Sequence, residues 1–219
     1  MKENSHPTAT TSKISANMLL YMAAVILFWV GLYVYAPTLP VYIEEKTGSL
    51  SVVGVILSMY GLWQVIFRLP VGIASDWIGK RKPFIIAGLL LTGLGAWVLG
   101  TSNTTSGMLV GRSITGIAAA TWVPLLVIFS QFFPADEAVK ATTLLTLISS
   151  ISRMVSTGVT GFFNDLGGYI LPFYIAAGVS LLAAVLVLPA SEKPAGRQKR
   201  SLKDITRLIS RTDVLGPGL

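Results

Sequence analysis

The chain has 219 residues, of which 53% are hydrophobic and only 12% charged, and it carries a formal net charge of +7. A soluble domain holds roughly 25% charged residues, so this composition excludes an ordinary water-soluble globule and points to an all-α protein of the membrane. The absence of cysteine excludes disulfides and thiol chemistry.

The polar N-terminal tail spans residues 1–16 and contains His6, the single histidine. Six apolar stretches follow, over 17–39, 51–75, 83–101, 106–131, 138–163 and 168–189, each near the roughly 20 residues that a helix needs to cross hydrocarbon. The first is too long, and lacks the small-residue cleavage site, to be a signal peptide. Polar or turn-forming residues separate the stretches: Glu44-Glu45-Lys46, the segment Gly79–Pro83, Thr101–Thr105, Pro134–Glu137 and Asn164-Asp165. The bundle is therefore expected to occupy residues 17–190. Residues 191–219 then read as a cytoplasmic loop. Within it, Ser201-Leu202-Lys203-Asp204 makes a capping box, and Leu202, Ile205, Leu208 and Ile209 recur at helical spacing. That pattern predicts an amphipathic helix on the membrane surface. An apolar run begins at Gly216–Leu219, and the chain is expected to be cut there, at the start of a seventh helix.

The basic residues fix an orientation. Lys2, Lys13, Lys80, Arg81, Lys82, Lys140 and the basic residues from Lys193 to Arg211 fall on one side of six crossings, and Lys46 alone falls on the other. The positive-inside rule places both ends in the cytoplasm of a multi-pass plasma-membrane protein. The same distribution explains a pI near 9.8 by attraction to lipid headgroups, with no nucleic-acid partner.

An echo runs through the sequence. Gly72, Asp76, Gly79, Pro83, Phe84, Ile86 and Ala87 reappear 89 residues later as Gly161, Asp165, Gly168, Pro172, Phe173, Ile175 and Ala176. The offset is three helices long, so the second copy faces the opposite side, and there Lys80-Arg81-Lys82 is replaced by Tyr169-Ile170-Leu171. Two inverted three-helix repeats are the expectation, an arrangement built for alternating access.

Three arginines lie inside the apolar stretches: Arg68, Arg112 and Arg153. Each costs roughly 2.5–3.5 kcal/mol at bilayer depth on insertion scales, so each needs a cavity or a partner. Arg68, two turns from the end of the second stretch, is expected to snorkel or to pair with Asp76. No Asp or Glu stands within any stretch. Arg112 and Arg153 are therefore left to a carboxylate elsewhere, an anionic small-molecule substrate or cavity water, or else to backbone carbonyls as packed structural residues. Trp29 and Tyr33 on the first stretch, Tyr60 and Gln64 on the second, and Trp122 on the fourth are candidates to line the same cavity. They are equally suited to packing. Gly107 and Gly111 make a close-packing pair, and the many Ser and Thr of the fifth stretch are expected to bond to their own helix backbone.

These motifs resemble the major facilitator superfamily. Gly72-x-x-x-Asp76-x-x-Gly79-Lys80-Arg81 looks like that family's signature between helices two and three, with Trp77 where a basic residue is usual. Arg112-x-x-x-Gly116 looks like its second motif, with Thr115 in place of a glutamine. Pro37-Thr38-Leu39-Pro40 is also family-like, whereas Ser156-Thr157 replaces the Gly-Pro of the antiporters. The resemblance covers about residues 17–190. It implies the N-terminal half of a twelve-helix transporter, a second six-helix bundle as partner, and a gating role for the loop that carries Gly72, Asp76, Gly79, Lys80 and Arg81.

An intramembrane enzyme is disfavoured, because no histidine, cysteine or acid stands within the stretches to serve as base or metal ligand. No phosphate-binding loop of the Walker type occurs, no cofactor is implied, and no metal or catalytic residue is assigned. A secondary transporter of a small solute is the leading reading. The alternative is a six-helix scaffold or lipid-binding protein without a transport cycle.

Overall fold

The computed structural model describes residues 16–192, and among them every regular element is helical. The expected amphipathic helix near 201–209, the end at 216–219 and the tail around His6 lie outside the described residues. In chain order the helices are α1 (Ala16–Tyr33), α2 (Leu39–Thr47), α3 (Leu50–Ile78), α4 (Lys82–Thr101), α5 (Thr105–Ala120), α6 (Trp122–Ser130), α7 (Ala138–Gly158), α8 (Thr160–Gly167) and α9 (Leu171–Val187). A 3₁₀ turn at Ala135–Glu137 precedes α7.

All six apolar stretches fold as helix, with corrections at their ends. The acidic break at Glu44-Glu45-Lys46 is not a loop but the last turns of α2, which starts after Pro37, carries Pro40 in its first turn and closes on Gly48 at φ 65°. Gly72 and Asp76 are likewise helical, because α3 runs through Pro70 as far as Ile78. The fourth stretch divides at Thr121, three residues before Pro124, whose ring nitrogen has no hydrogen to give back to the preceding turn. The fifth divides at Val159 and runs on through Asn164-Asp165 to Gly167. By length and hydropathy, Ala16–Tyr33, Leu50–Ile78, Lys82–Thr101 and Thr105–Ser130 each suffice to cross a membrane. Ala138–Gly167 and Leu171–Val187 pass that test only together, bent by 120°.

The helices alternate in direction, as shown by what meets at each end. At one end Asn17 receives the backbone N–H of Ser191 at 3.0 Å, Tyr21 packs on Phe132, and the α3–α4 turn is bound to Glu192. At the far end Tyr42 donates to Gly100 O at 2.9 Å, Lys46 donates to Ser102 O at 3.0 Å, and Thr38 meets Asn164. The echo is visible in the backbone. Gly79 and Gly168 both have positive φ, 68° and 69°, and each N–H closes the helix before it, on Ser75 O and Asn164 O. Those two acceptors are themselves 89 residues apart. Pro83 and Pro172 then stand in the first turns of α4 and α9.

Helix α4 is the hub, packed on α5 and α9, while α3 packs on α5 and α1 on α9 and α7. Lipid is as apolar as leucine, so association rests on close van der Waals fit between small residues. A Cβ on Gly95 would sit 2.5 Å from Thr115 Cγ2 and 3.0 Å from Gly111 O. A Cβ on Gly88 would overlap Thr121 Oγ1. Of the expected glycine pair, Gly111 serves the α4 contact, whereas Gly107 packs within its own turn against Ser102. In α7, Ser149, Ser152, Ser156 and Thr157 bond to carbonyls of their own helix, as the sequence suggested.

Adding one methyl therefore discriminates the seam from the outer surface. Gly88→Ala is expected to destabilise the protein by about 1–3 kcal/mol through overpacking. Gly178→Ala, where a Cβ meets nothing within 4 Å, is expected to be neutral or slightly stabilising. Thermal unfolding in detergent, followed by tryptophan fluorescence, measures both. Equal melting temperatures for the two variants would overturn the account of the seam.

Candidate functional site

Two clusters hold the residues singled out in the sequence. The first is at the α3–α4 turn. Gly79 is buried and left-handed, a conformation that other residues adopt at a cost. Gly72 is less constrained than expected, since a Cβ there would make ordinary contact, 3.5 Å, with Val123. Asp76 pairs with Arg81, not with Arg68: Arg81 Nη2 donates to Asp76 Oδ1 at 2.7 Å. The turn brings Arg81 back over the last turn of α3, whereas Arg68 lies two turns away, exposed and in no ion pair among the described residues. The Arg81 side chain is 10% exposed, and its Nε and Nη1 are buried without hydrogen-bond partners. Lys80 is exposed and makes no hydrogen bond or ion pair among the described residues.

Sequence reasoning missed Glu192. Its carboxylate accepts from the backbone N–H groups of Arg81 at 2.6 Å and Lys82 at 2.9 Å, and so caps the positive end of α4. No local spacing announces this, because the cap arrives from 111 residues away. Lys82 Nζ completes the link by donating to Leu188 O at 2.6 Å.

The second cluster holds the half-buried arginines Arg112 and Arg153. The Arg112 guanidinium lies over the Tyr60 ring, 4.4 Å from its centroid. The Arg153 guanidinium lies over Trp29 at 4.7 Å and Tyr33 at 5.8 Å. Arg153 also donates from Nε to Ser149 O at 3.3 Å and from Nη2 to Ser150 Oγ at 3.2 Å. Tyr60 is within electrostatic reach of Tyr33 and of both arginines, so the sequence-distant residues form one patch. Trp122 does not touch an arginine; it supports Trp29 edge-on at 5.0 Å. Gln64 follows Tyr60 by one turn on α3, half-buried and without a hydrogen bond among the described residues. Gly116 explains the spacing of the Arg112 motif. A Cβ there would come within 2.6 Å of Tyr60 O, so the glycine lets α3 approach while Arg112, one turn back, covers the ring of that same tyrosine.

Magnitudes separate the two arginines. A desolvated cation–π contact gives about 2 kcal/mol and an exposed one about 0.5–1 kcal/mol, against roughly 2.5–3.5 kcal/mol for an arginine at bilayer depth. Two rings and two hydrogen bonds bring Arg153 near balance. Arg112 has one ring, and its Nε is buried without a partner. Beside it the Tyr35 hydroxyl is also buried, within interaction reach of Arg112 and Thr115. Among the described residues no carboxylate neutralises either arginine, because the ion pairs there are Asp76–Arg81 and Glu137–Lys140.

The cap at α4 yields a stability test. Glu192→Ala is expected to cost about 0.5–2 kcal/mol, the usual value of a helix N-cap. The measurement is thermal unfolding in detergent, with Lys140→Ala, which removes the exposed pair to Glu137, as a near-neutral control. An unchanged melting temperature for Glu192→Ala would remove the cap from the account of this turn.

Comparison with known proteins matches this architecture. The family described as Major Facilitator Superfamily matches residues 21–218. An uncharacterized transporter of Buchnera aphidicola (subspecies Schizaphis graminum) is 25% identical over 178 residues, covering 80% of this chain and 45% of the relative. A second uncharacterized transporter, from Buchnera aphidicola of Acyrthosiphon pisum, is 24% identical over 184 residues, with 82% and 47% covered. The quinolone resistance protein NorA of Staphylococcus aureus is 23% identical over 190 residues, with 84% and 48% covered. The chain thus spans about half the length of the curated relatives it matches.

Proposed function

Because this chain belongs to the Major Facilitator Superfamily and is an integral, multi-pass membrane protein, we propose that it forms one six-helix half of a secondary active transporter of a small solute. In this reading it crosses the plasma membrane six times, with both ends cytoplasmic. It works by alternating access against a second six-helix bundle. The observation that carries the proposal is the patch of Arg112 over Tyr60 and Arg153 over Trp29 and Tyr33, a positive site of aromatic walls with no carboxylate of its own. An anionic solute supplies the missing charge, and the planar guanidinium of Arg112 has the forked geometry that suits a carboxylate. Tyr33, Gln64 and Trp122 shape the walls. The coupling carboxylate, if a proton drives the cycle, belongs to the other bundle.

The turn of Gly72, Asp76, Gly79, Lys80 and Arg81 serves as the cytoplasmic latch in this reading. Asp76 and Arg81 hold the turn closed on itself, and the exposed Lys80 beside them gives the other bundle something to grip.

Transport by the full-length protein tests the site, with a quinolone as the probe because one relative carries that name. At matched expression, Arg112→Ala is expected to lower transport about 10- to 100-fold, the effect of losing a charged hydrogen-bond pair, with Arg112→Lys recovering part. Arg68→Ala is expected to leave transport near wild type. Wild-type transport in both Arg112→Ala and Arg153→Ala would leave these residues as structural and favour a scaffold without a transport cycle.

Orientation is tested separately. Single cysteines at Ser49, Asn103, Lys80 and Lys140 suit a chain that has none of its own. In intact cells an impermeant maleimide is expected to label positions 49 and 103 only. Labelling at 80 or 140 from outside would reverse the topology.

A further inference from the structure

Away from the arginine patch, a groove of about 900 Å³ lies beside the α3–α4 turn, at the upper end of the range for small-molecule sites. Its walls are Pro83, Ile86 and Leu90 of α4 and Leu188 after α9. Its rim carries Lys80 and Lys82. Glu192 also borders it, but both of its oxygens are turned onto the backbone N–H groups of α4.

The walls belong to the lipid-facing side of the bundle. Pro83, Ala87, Leu90, Leu94 and Trp97 recur at helical spacing along α4, each of them exposed. No charged residue occurs between Lys82 and the end of α4, or anywhere in α9. The three arginines within apolar stretches, Arg68, Arg112 and Arg153, lie instead on α3, α5 and α7. A groove with apolar walls on the lipid-facing side suits acyl chains better than water. At its mouth stand two ammonium groups two residues apart in sequence: Lys80 with no hydrogen bond or ion pair among the described residues, and Lys82 with one hydrogen bond, to Leu188 O.

We propose that this groove is a specific site for a phospholipid with an anionic headgroup, its phosphate held by Lys80 and Lys82 and one acyl chain lying along Ile86 and Leu90. Apolar walls alone accept any lipid. The paired lysines select the anionic one, since each basic residue near the surface adds a modest electrostatic preference. The bound lipid bridges the start of α4 to the end of α9, next to the Asp76–Arg81 pair. This site is independent of the transport reading and stands even if no solute is carried.

The test is competition between phosphatidylglycerol and phosphatidylcholine for retention on the full chain in detergent, read by native mass spectrometry. The wild type is expected to retain phosphatidylglycerol preferentially. Lys80→Gln is expected to reduce that preference about fivefold, and Lys80→Gln with Lys82→Gln to abolish it. Lys80 makes no contact that folding requires among the described residues, so the single variant reports on binding even if the double variant is unstable. Lys140→Gln, outside the groove, is expected to leave the preference unchanged. An unaltered preference in Lys80→Gln overturns the proposal. So does an equal loss in Lys140→Gln, which would mean general surface charge. Displacement of the lipid by millimolar glycerol 1-phosphate overturns it too, because the groove would then be a soluble-phosphate site with no role for the acyl chain.

Discussion

Everything in this bundle depends on helices approaching closely where they have no side chain to lose. In hydrocarbon there is no hydrophobic gain from pressing one apolar helix on another, so the fit itself must supply the attraction. Gly88, Gly95 and Gly111 let α4 and α5 meet almost backbone to backbone. Gly31 and Gly93 face Ser180 in the same way, where α1, α4 and α9 converge. With α4 fixed between α5 and α9, the remaining helices inherit their positions. Gly116 extends the rule to α3, and there it brings Tyr60 within reach of Arg112.

The buried charges are placed by a second consequence of the same solvent. Among the described residues, salt bridges between side chains are confined to the ends of helices, where Asp76 meets Arg81 and Glu137 meets Lys140. Deep in the bundle the arginines rest on ring faces. An aromatic face accepts a cation without bringing a countercharge, so the site keeps its positive potential while each guanidinium escapes lipid. A carboxylate in Tyr60's place would have quenched it.

Hydropathy made the helices legible, because each stretch had to be long and apolar. The echo between Gly79 and Gly168 was legible too, since glycine is the residue that tolerates the positive φ both positions adopt. Helix ends were less so. The breaks at Thr121 and Val159 lie inside stretches long and uncharged enough to read as single helices, and the helix over Leu39–Thr47 was hidden by its own charged residues. Arg68 could be read as snorkelling or as pairing with Asp76, and the turn instead returns Arg81 to that carboxylate. Glu192 could not have been found, because a cap on α4 from beyond α9 exists only once the helices are assembled. Arg112 and Arg153 were conspicuous as isolated charges, and Tyr33 was noted beside Trp29. That the rings would be their partners was a matter of helix rotation, which an aperiodic run of apolar residues does not encode.

The two ends of the bundle are fastened by different chemistry. At the α3–α4 turn the links include a side-chain ion pair, Asp76 with Arg81, with the Asp76 side chain 47% exposed. At the far end the links are Tyr42 to Gly100 O, Thr38 to Asn164, and Lys46 to the neutral acceptors Ser102 O and Asn103 Oδ1. Removing one partner of a partly buried ion pair strands the other charge, whereas each bond at the far end can be lost singly. The two sides of the bundle therefore differ in how they fail: one loses its fastening at a single substitution, the other by degrees.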